Sequence, residues 1–119
     1  MSEFVGDVNA RKWGEEVLGS KVPVLVNFGA DWCGPCHALS PILKEIAKER
    51  ADRMKVLKLD VDQCPDLAEE YGVRSIPTLA LFSCGAERGR VVGVLPKPRL
   101  KNELDKVMGR VGSPGDEAA

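Results

Sequence analysis

The sequence is poor in the residues and patterns on which several classes of protein depend. Its 119 residues include one histidine and four cysteines, and only one cysteine pair has C-x-x-C spacing, so the sequence argues against the four ligands of a structural zinc site. Neither sign of charge is in excess, because 17 Lys and Arg face 18 Asp and Glu, and the net charge of -1 predicts no nucleic-acid or membrane partner. No stretch approaches the roughly 18 consecutive apolar residues of a membrane-spanning helix.

A secretory signal is also missing from the pattern of residues 1–20, which lack a basic segment followed by an apolar core. We therefore expect a cytoplasmic protein. In that compartment paired cysteines are more often catalytic or metal-binding than structural. The length fits one domain, predicted over residues 1–111, and the small polar residues 112–119 are expected to form a disordered tail.

Apolar periodicity predicts an α/β domain. The helical patterns cover residues 9–18, 33–50 and 65–71 and a final segment that begins at Pro98. The strand patterns cover residues 22–28, 54–61, 78–82 and 88–94, after a short extended piece at Phe4 and Val5. This order predicts a sheet of four or more strands with helices on both faces, in which the first two core strands are parallel and the last two form an antiparallel hairpin.

Cys33 and Cys36 stand where a buried strand leads into a helix. At a helix N-terminus the first N–H groups lack intrahelical partners and the macrodipole favours negative charge, which stabilises the reactive thiolate. Residues three apart on a helix have Cβ atoms roughly 5–6 Å apart, close to what a disulfide requires. Pro35 falls in the first turn, where its missing N–H breaks no bond. The pattern predicts a dithiol that is reversibly oxidised to a disulfide.

Asn27 interrupts the apolar run of residues 22–28. A buried amide needs hydrogen-bond partners. We expect Asn27 to find them beneath the end of the strand that leads to the cysteines.

Four landmarks, in order, make the chain resemble the thioredoxin family. They are WCGPC at residues 32–36 followed by Pro41, KLDVD at 58–62, IPT at 76–78, and VG at 92–93. The similarity runs from about residue 22 to residue 108. It implies a thioredoxin fold over residues 1–111, an α/β fold with a central mixed sheet of four to five strands flanked by four α-helices.

The resemblance also implies an activity and its residues. The activity is that of a monomeric thiol–disulfide oxidoreductase with no cofactor or metal, which reduces protein disulfides and is recharged by a flavoprotein thioredoxin reductase. By position, Cys33 is the exposed nucleophile and Cys36 the resolving thiol, with Pro77 as a cis proline beside them. The residues implied to line the substrate groove are Trp32, Gly34, Pro35, Ile76 and Gly93.

Two residues depart from the family pattern. Asn27 replaces a buried aspartate that, near the lysine matching Lys58, helps to move a proton for the resolving cysteine. Asn27 cannot titrate, so either water, Lys58 or another group takes over, or Cys36 resolves more slowly. Gly29 stands where the family often carries tryptophan or another larger residue, and we expect looser packing there. We expect these two departures to shift the reduction potential by up to about 30 mV in either direction.

The remaining imidazole and thiol groups have plainer interpretations. His37 is either a surface residue or, when protonated, a modulator of the thiols. His37 also completes a C-x-x-C-H motif, the pattern to which haem c is attached. We attribute this match to chance, because haem attachment needs export. Cys64 precedes a predicted helix and Cys84 lies in the predicted hairpin turn, at opposite ends of the sheet, so we expect ordinary thiols, with regulatory oxidation as the alternative.

Three functions are compatible with the sequence. The first is a protein-disulfide reductase. The second is an oxidase or isomerase, against which Gly34, Pro35 and the missing signal peptide argue. The third is a non-catalytic binding or holdase subunit that uses the groove around Trp32, Ile76 and Pro77, and the loss of the buried acid keeps it open.

Overall fold

The structure is a computed structural model that describes residues 4–111. Its strands are β1 (Val5–Asp7), β2 (Val24–Gly29), β3 (Lys55–Asp60), β4 (Thr78–Ser83) and β5 (Ala86–Val92). Its helices are α1 (Ala10–Trp13), which continues into a π-helical segment (Gly14–Leu18), α2 (Gly34–Glu49), α3 (Pro65–Glu70) and α4 (Lys97–Val111). The disordered tail expected at 112–119 lies outside the described residues.

The predicted elements are present with small shifts at their ends. Strand β2 begins at Val24 rather than at residue 22, and Val22 is 45% exposed. Helix α4 begins at Lys97, one residue before the proline predicted to open it. Asn9 caps α1 as its residue type favours, since its side chain accepts a hydrogen bond from the backbone N–H of Lys12.

The strands form one mixed sheet in the order β1-β3-β2-β4-β5. Strands β2 and β3 are parallel, while β4 runs antiparallel to both β2 and β5. The predicted parallel pair and terminal hairpin are therefore confirmed. Because of these directions, the ends of β2, β3 and β5 and the start of β4 all lie at the same edge of the sheet. The loops that carry the four family motifs of the sequence all lie at this edge.

Alternation along the strands divides the core between the two faces of the sheet, which confirms the prediction of helices on both faces. One face packs against α2 and α4, through buried residues that include Leu25, Leu39, Leu43, Leu81 and Leu104. The other face packs against α1 and α3, through residues that include Trp13, Val26, Phe28, Leu67 and Phe82. In β5, Gly89 allows α4 to approach, since a Cβ there would lie 2.9 Å from Val107 Cγ1.

Within residues 4–111, no helix combines the length and the apolar character that crossing a bilayer requires.

Candidate active site

The two cysteines of the C-x-x-C motif are joined in a disulfide at the start of α2. Cys33 is the N-cap residue and Cys36 lies in the first turn, with their Cα atoms 5.2 Å apart. The backbone N–H of Cys36 donates to Cys33 Sγ at 3.2 Å. Thus an N–H group with no intrahelical partner points at the first sulfur, as the sequence predicted for a helix N-terminus.

Both cysteines are nevertheless buried in the disulfide form. Cys33 is 4% exposed and Cys36 is 7% exposed, so the expectation of an exposed Cys33 is wrong for this state. The cause is packing from the neighbouring loops: the pair forms a small apolar cluster with Ala30, against which Val61 and Ile76 pack. The carbonyl oxygen of Ile76 lies 3.9 Å from Cys33 Sγ.

The loop before β4 supplies that carbonyl, and its Ile76–Pro77 peptide bond is cis, as the family resemblance implied. The hydroxyl of Thr78 donates to the carbonyl of Ser75 at 2.6 Å. The N–H of Gly93, which follows β5 with a φ of 91°, donates to the carbonyl of Pro77 at 2.9 Å. The first bond fixes the turn around Pro77, and the second holds the two loops together beside the dithiol.

An open apolar groove of about 510 Å³ begins beside the dithiol. Trp32, 70% exposed, forms one wall, and its Nε1–H donates to Asp62 Oδ2 at 2.6 Å. Of the residues predicted to line the groove, Trp32 and Ile76 do so, whereas Gly34, Pro35 and Gly93 lie outside it. Sequence reasoning missed the wall formed by Val61, Val73 and the α3 residues Pro65, Ala68 and Glu69, although Val61 directly follows β3 at the same edge.

Asn27 lies beneath the dithiol as expected, but it lacks the expected partners. It is 5% exposed and stands opposite Lys58 in the register of β2 and β3. Its Oδ1 has no hydrogen-bond donor among the described residues. Lys58 does not supply one, because its Nζ lies 3.9 Å from the carboxylate of Asp31 and its side chain is 42% exposed.

Gly29 does not leave loose packing beside the active-site loop. A Cβ placed on it would lie 3.2 Å from Cys36 Sγ and 3.9 Å from Asn27 Oδ1. The resolving sulfur has come close to the glycine backbone, so the expectation of looser packing is wrong at this contact. The same short distances place Cys36 and Asn27 on one side of the strand end.

His37 is exposed, in agreement with the plainer interpretation, but it also has a partner. Its ring Nε2 lies 2.6 Å from the backbone carbonyl of Asp31. The imidazole thus ties helix α2 to the loop that precedes it. Spacing in the sequence gave no sign of this contact, because residues six apart face each other only where the chain turns into the helix.

The other two cysteines lie away from the disulfide and keep their thiol groups, as predicted. Cys64 is the N-cap residue of α3 and is 5% exposed. Cys84 is exposed in the β4–β5 turn, with a φ of 52°. Within residues 4–111, no group of three or more His, Cys, Asp or Glu side chains is arranged to hold a metal ion.

Comparison with known proteins decides the family. The thioredoxin family model matches residues 4–106. The chain belongs to the thioredoxin family. "Thioredoxin 1" of Synechococcus elongatus is 50% identical over 92 residues, which are 77% of this chain and 86% of that protein. "Thioredoxin M-type, chloroplastic" of Pisum sativum is 46% identical over 99 residues, or 83% of this chain, and the match spans 58% of the pea protein.

A third relative, "Thioredoxin" of Pyropia yezoensis, is 44% identical over 102 residues, which cover 86% of this chain and 95% of the relative. The fold agrees with the family, since five strands in a mixed sheet and four helices form the thioredoxin fold. With its Cys33–Cys36 disulfide, this thioredoxin-family domain is a thiol–disulfide oxidoreductase.

Proposed function

We propose that the domain reduces disulfides in client proteins, with Cys33 as the attacking sulfur and Cys36 as the resolving one. The observation that carries this assignment is the hydrogen bond of 3.2 Å from the Cys36 N–H to Cys33 Sγ at the N-cap of α2. An N–H donor and the positive end of the helix dipole both favour a thiolate on Cys33. Cys36, one turn further in, receives less of this stabilisation.

The reaction then proceeds in two exchanges. The Cys33 thiolate attacks one sulfur of the client disulfide, a bond forms between Cys33 and the client, and the other client sulfur leaves as a thiolate. The Cys36 thiolate then attacks Cys33 Sγ. The Cys33–Cys36 bond forms, the mixed disulfide breaks, and the second client sulfur leaves. The client gains two electrons and the Cys33–Cys36 pair loses two.

The client segment would lie on the apolar surface beside the dithiol. Trp32 and Ile76 provide side-chain contacts from the groove, while Gly34, Pro35 and Gly93 leave backbone accessible around it. Nothing lies within 4 Å of where a Cβ would stand on Gly34 or on Gly93. Removing exposed apolar surface from water would favour docking of an extended apolar segment.

The oxidised pair must regain two electrons before the next cycle. We propose an external electron donor, a flavoprotein thioredoxin reductase, in line with the family, and a monomeric domain. No cofactor of the domain's own is needed, because both electrons are carried by its two sulfurs.

The compartment is a further proposal. The sequence favours the cytoplasm, whereas the pea relative and a spinach relative, 42% identical, are named chloroplastic, which favours a plastid. We propose a reducing compartment of either kind, because the dithiol must be regenerated. Fractionation of cells that produce the complete protein would discriminate between them.

Insulin reduction with dithiothreitol tests the activity. The unaltered domain should accelerate insulin reduction, Cys33→Ser should abolish the acceleration, and Cys36→Ser should stop at a covalent mixed disulfide with the client. The exposed Cys84→Ser serves as the matched control and should turn over like the unaltered domain. Client binding without turnover in the unaltered domain would instead support the holdase alternative, which the Cys33–Cys36 disulfide does not favour. Redox titration against glutathione would then fix the direction of electron flow.

A further inference from the structure

A small cavity of about 60 Å³ lies behind the resolving cysteine, between helix α2 and strands β1 to β3. Cys36, Asn27, His37 and Lys58 all line it. A cavity needs roughly 10–15 Å³ of such space to hold a water molecule, and the water needs polar partners. This cavity is therefore roomy and polar enough to hold water.

The unpartnered oxygen of Asn27 points to what such water would do. Asn27 is 5% exposed, and its Oδ1 lacks a donor among the described residues. A buried amide oxygen without a hydrogen bond is costly, so a water in this cavity would be held there. Asn27 can accept a hydrogen bond but cannot take up a proton.

Cys36, in contrast, must lose a proton, because the thiolate and not the thiol attacks the mixed disulfide. With 7% of its surface exposed, Cys36 has little direct access to solvent. The ionisable side chains that line the cavity beside it are His37, Lys44 and Lys58. Lysine ordinarily carries its proton at neutral pH and then has no lone pair with which to accept another.

His37 is the lining residue with a suitable lone pair. Its Nε2 lies 2.6 Å from the Asp31 carbonyl, and since a carbonyl oxygen can only accept, Nε2 carries the hydrogen. In the neutral ring the lone pair is then on Nδ1. Histidine is also the side chain whose charge ordinarily changes between about pH 5 and pH 8. Because the ring is exposed, it can pass the proton on to solvent.

We propose that His37 accepts the proton of Cys36 during resolution, through water held by Asn27 Oδ1 in this cavity. This inference rests on the proposed function. In the step, Cys36 Sγ gives its proton to the water chain and His37 becomes an imidazolium. The new thiolate attacks Cys33 Sγ, the Cys33–Cys36 bond forms, and the client leaves as a thiolate. The imidazolium then loses its proton to solvent or to the departing thiolate.

Three charged groups lie around the imidazole. Asp31, whose backbone carbonyl accepts the ring's hydrogen bond, also carries a carboxylate. Lys58 Nζ lies 3.9 Å from that carboxylate, and Lys44 lines the same cavity from the helix that carries His37. Charges of both signs therefore surround His37.

The test is the pH dependence of the resolving step alone. Reduced protein is mixed with insulin in a single turnover, quenched with acid at successive times, and the mixed disulfide is counted by mass spectrometry from about pH 5 to pH 8. In the unaltered domain, the resolution rate should rise as histidine loses its proton. In His37→Gln it should be about tenfold lower at pH 7, less than the usual effect of a general base because solvent can still take the proton.

Two further variants separate proton transfer from charge and from folding. His37→Lys keeps a donor and a positive charge but offers no lone pair near neutral pH, so it should lose the pH-dependent rise as His37→Gln does. Lys48→Gln removes an exposed charge from the same helix and should keep the original profile. An original profile in either His37 variant would overturn the proposal, and so would slowing of the first attack by Cys33 alone. If the unaltered domain formed no mixed disulfide at any pH, the proposed reduction would itself fail, a result distinct from these.

Discussion

Asn27 and Lys58 stand opposite each other in the parallel pair of β2 and β3, yet neither side chain satisfies the other. The Lys58 ammonium lies 3.9 Å from Asp31, and the Asn27 Oδ1 is left without a donor among the described residues. A neutral amide therefore occupies the buried position beneath Cys36. The position can accept a hydrogen bond at every pH without changing its charge.

Asn27→Asp should make this position titrate. Burial raises the pKa of the introduced carboxyl, so the pH profile of insulin reduction should gain a step that the unaltered domain lacks. A folded pKa above the unfolded value stabilises the fold at acid pH, and this contribution is lost as pH rises through the folded pKa. Each unit of upward shift costs about 1.4 kcal/mol at high pH. Urea unfolding across the pH range measures the loss, with the exposed Asn102→Asp as control. An unchanged profile of turnover would remove Asn27 from the mechanism.

Gly29→Ala should raise the reduction potential. The new Cβ would lie 3.2 Å from Cys36 Sγ in the disulfide form, so the sulfur must move, whereas a reduced Cys36 can rotate away. Selective strain on the oxidised state makes the disulfide easier to reduce, and we expect a shift of about 30 mV, equivalent to about 1.4 kcal/mol. Redox titration against glutathione measures it. Gly14→Ala, where nothing lies within 4 Å of the added atom, is the matched control, and an equal potential for both variants would contradict the argument.

Asp62→Ala should weaken the use of protein clients while sparing small disulfides. The carboxylate fixes the Trp32 indole through a bond of 2.6 Å, and its loss frees an exposed ring that must be reordered on binding. We expect KM for insulin to rise about threefold with little change in kcat, because an exposed hydrogen bond of this kind is worth about 1 kcal/mol or less. A small aromatic disulfide should be reduced as before. Asp66→Ala, on α3, is the control, and an unchanged KM in Asp62→Ala would separate Trp32 orientation from client binding.

Asp105→Ala should destabilise the fold because it leaves Arg50 without its ion-pair partner. Asp105 is the ion-pair partner of Arg50, at 2.9 Å, and the Arg50 side chain is only 7% exposed. Removing the carboxylate leaves a buried guanidinium uncompensated, and with Asp105 itself 63% exposed we expect a loss of about 1–2 kcal/mol. Urea unfolding measures it against the exposed Asp52→Ala. Equal stability of the two variants would show that solvent compensates Arg50.

Glu49 should contribute stability at neutral pH that disappears in acid. Hydrogen bonds from Lys101 and then Lys97 lower the pKa of Glu49 to about 2 from its ordinary value of 4.5. A lowered folded pKa stabilises the fold above the unfolded value, and the contribution is lost as pH falls from about 4.5 towards about 2. The slope of unfolding free energy against pH should therefore be smaller in this window for Glu49→Gln. An identical slope in the unaltered domain would contradict the assignment, and Glu70→Gln serves as a control on α3.

The sequence predicted those structural features that depend on residues close together in the chain or on family motifs that occur in a fixed order. The helix start at Cys33, the cysteine spacing and the parallel pair of β2 and β3 follow from local pattern, and the cis bond at Ile76–Pro77 follows from family resemblance. The burial of Cys33 could not be predicted in this way, because it depends on Ile76, 43 residues further along the chain.

The details around the resolving sulfur also depend on three-dimensional packing. The expectation of loose packing at Gly29 was based on its lack of a side chain. The approach of Cys36 Sγ to Gly29 depends instead on how α2 packs against the sheet. Asn27 was expected to find donors, yet its neighbour Lys58 lies nearest to Asp31 instead. Periodicity identifies which face of an element is buried, but it does not specify which atom meets which.

The apolar face shared by α2 and α4 has a consequence for how the protein is made. Leu39 and Leu43 of the helix that begins at the cysteines pack in one cluster with Leu100 and Leu104 of the last helix. Synthesis delivers these residues in order, so the earlier helix leaves the ribosome before its cover has been translated. Until α4 docks, the apolar face of the helix that begins at the cysteines lacks the contacts that Leu100 and Leu104 supply, so the redox centre reaches its final packing only after the last helix has been translated.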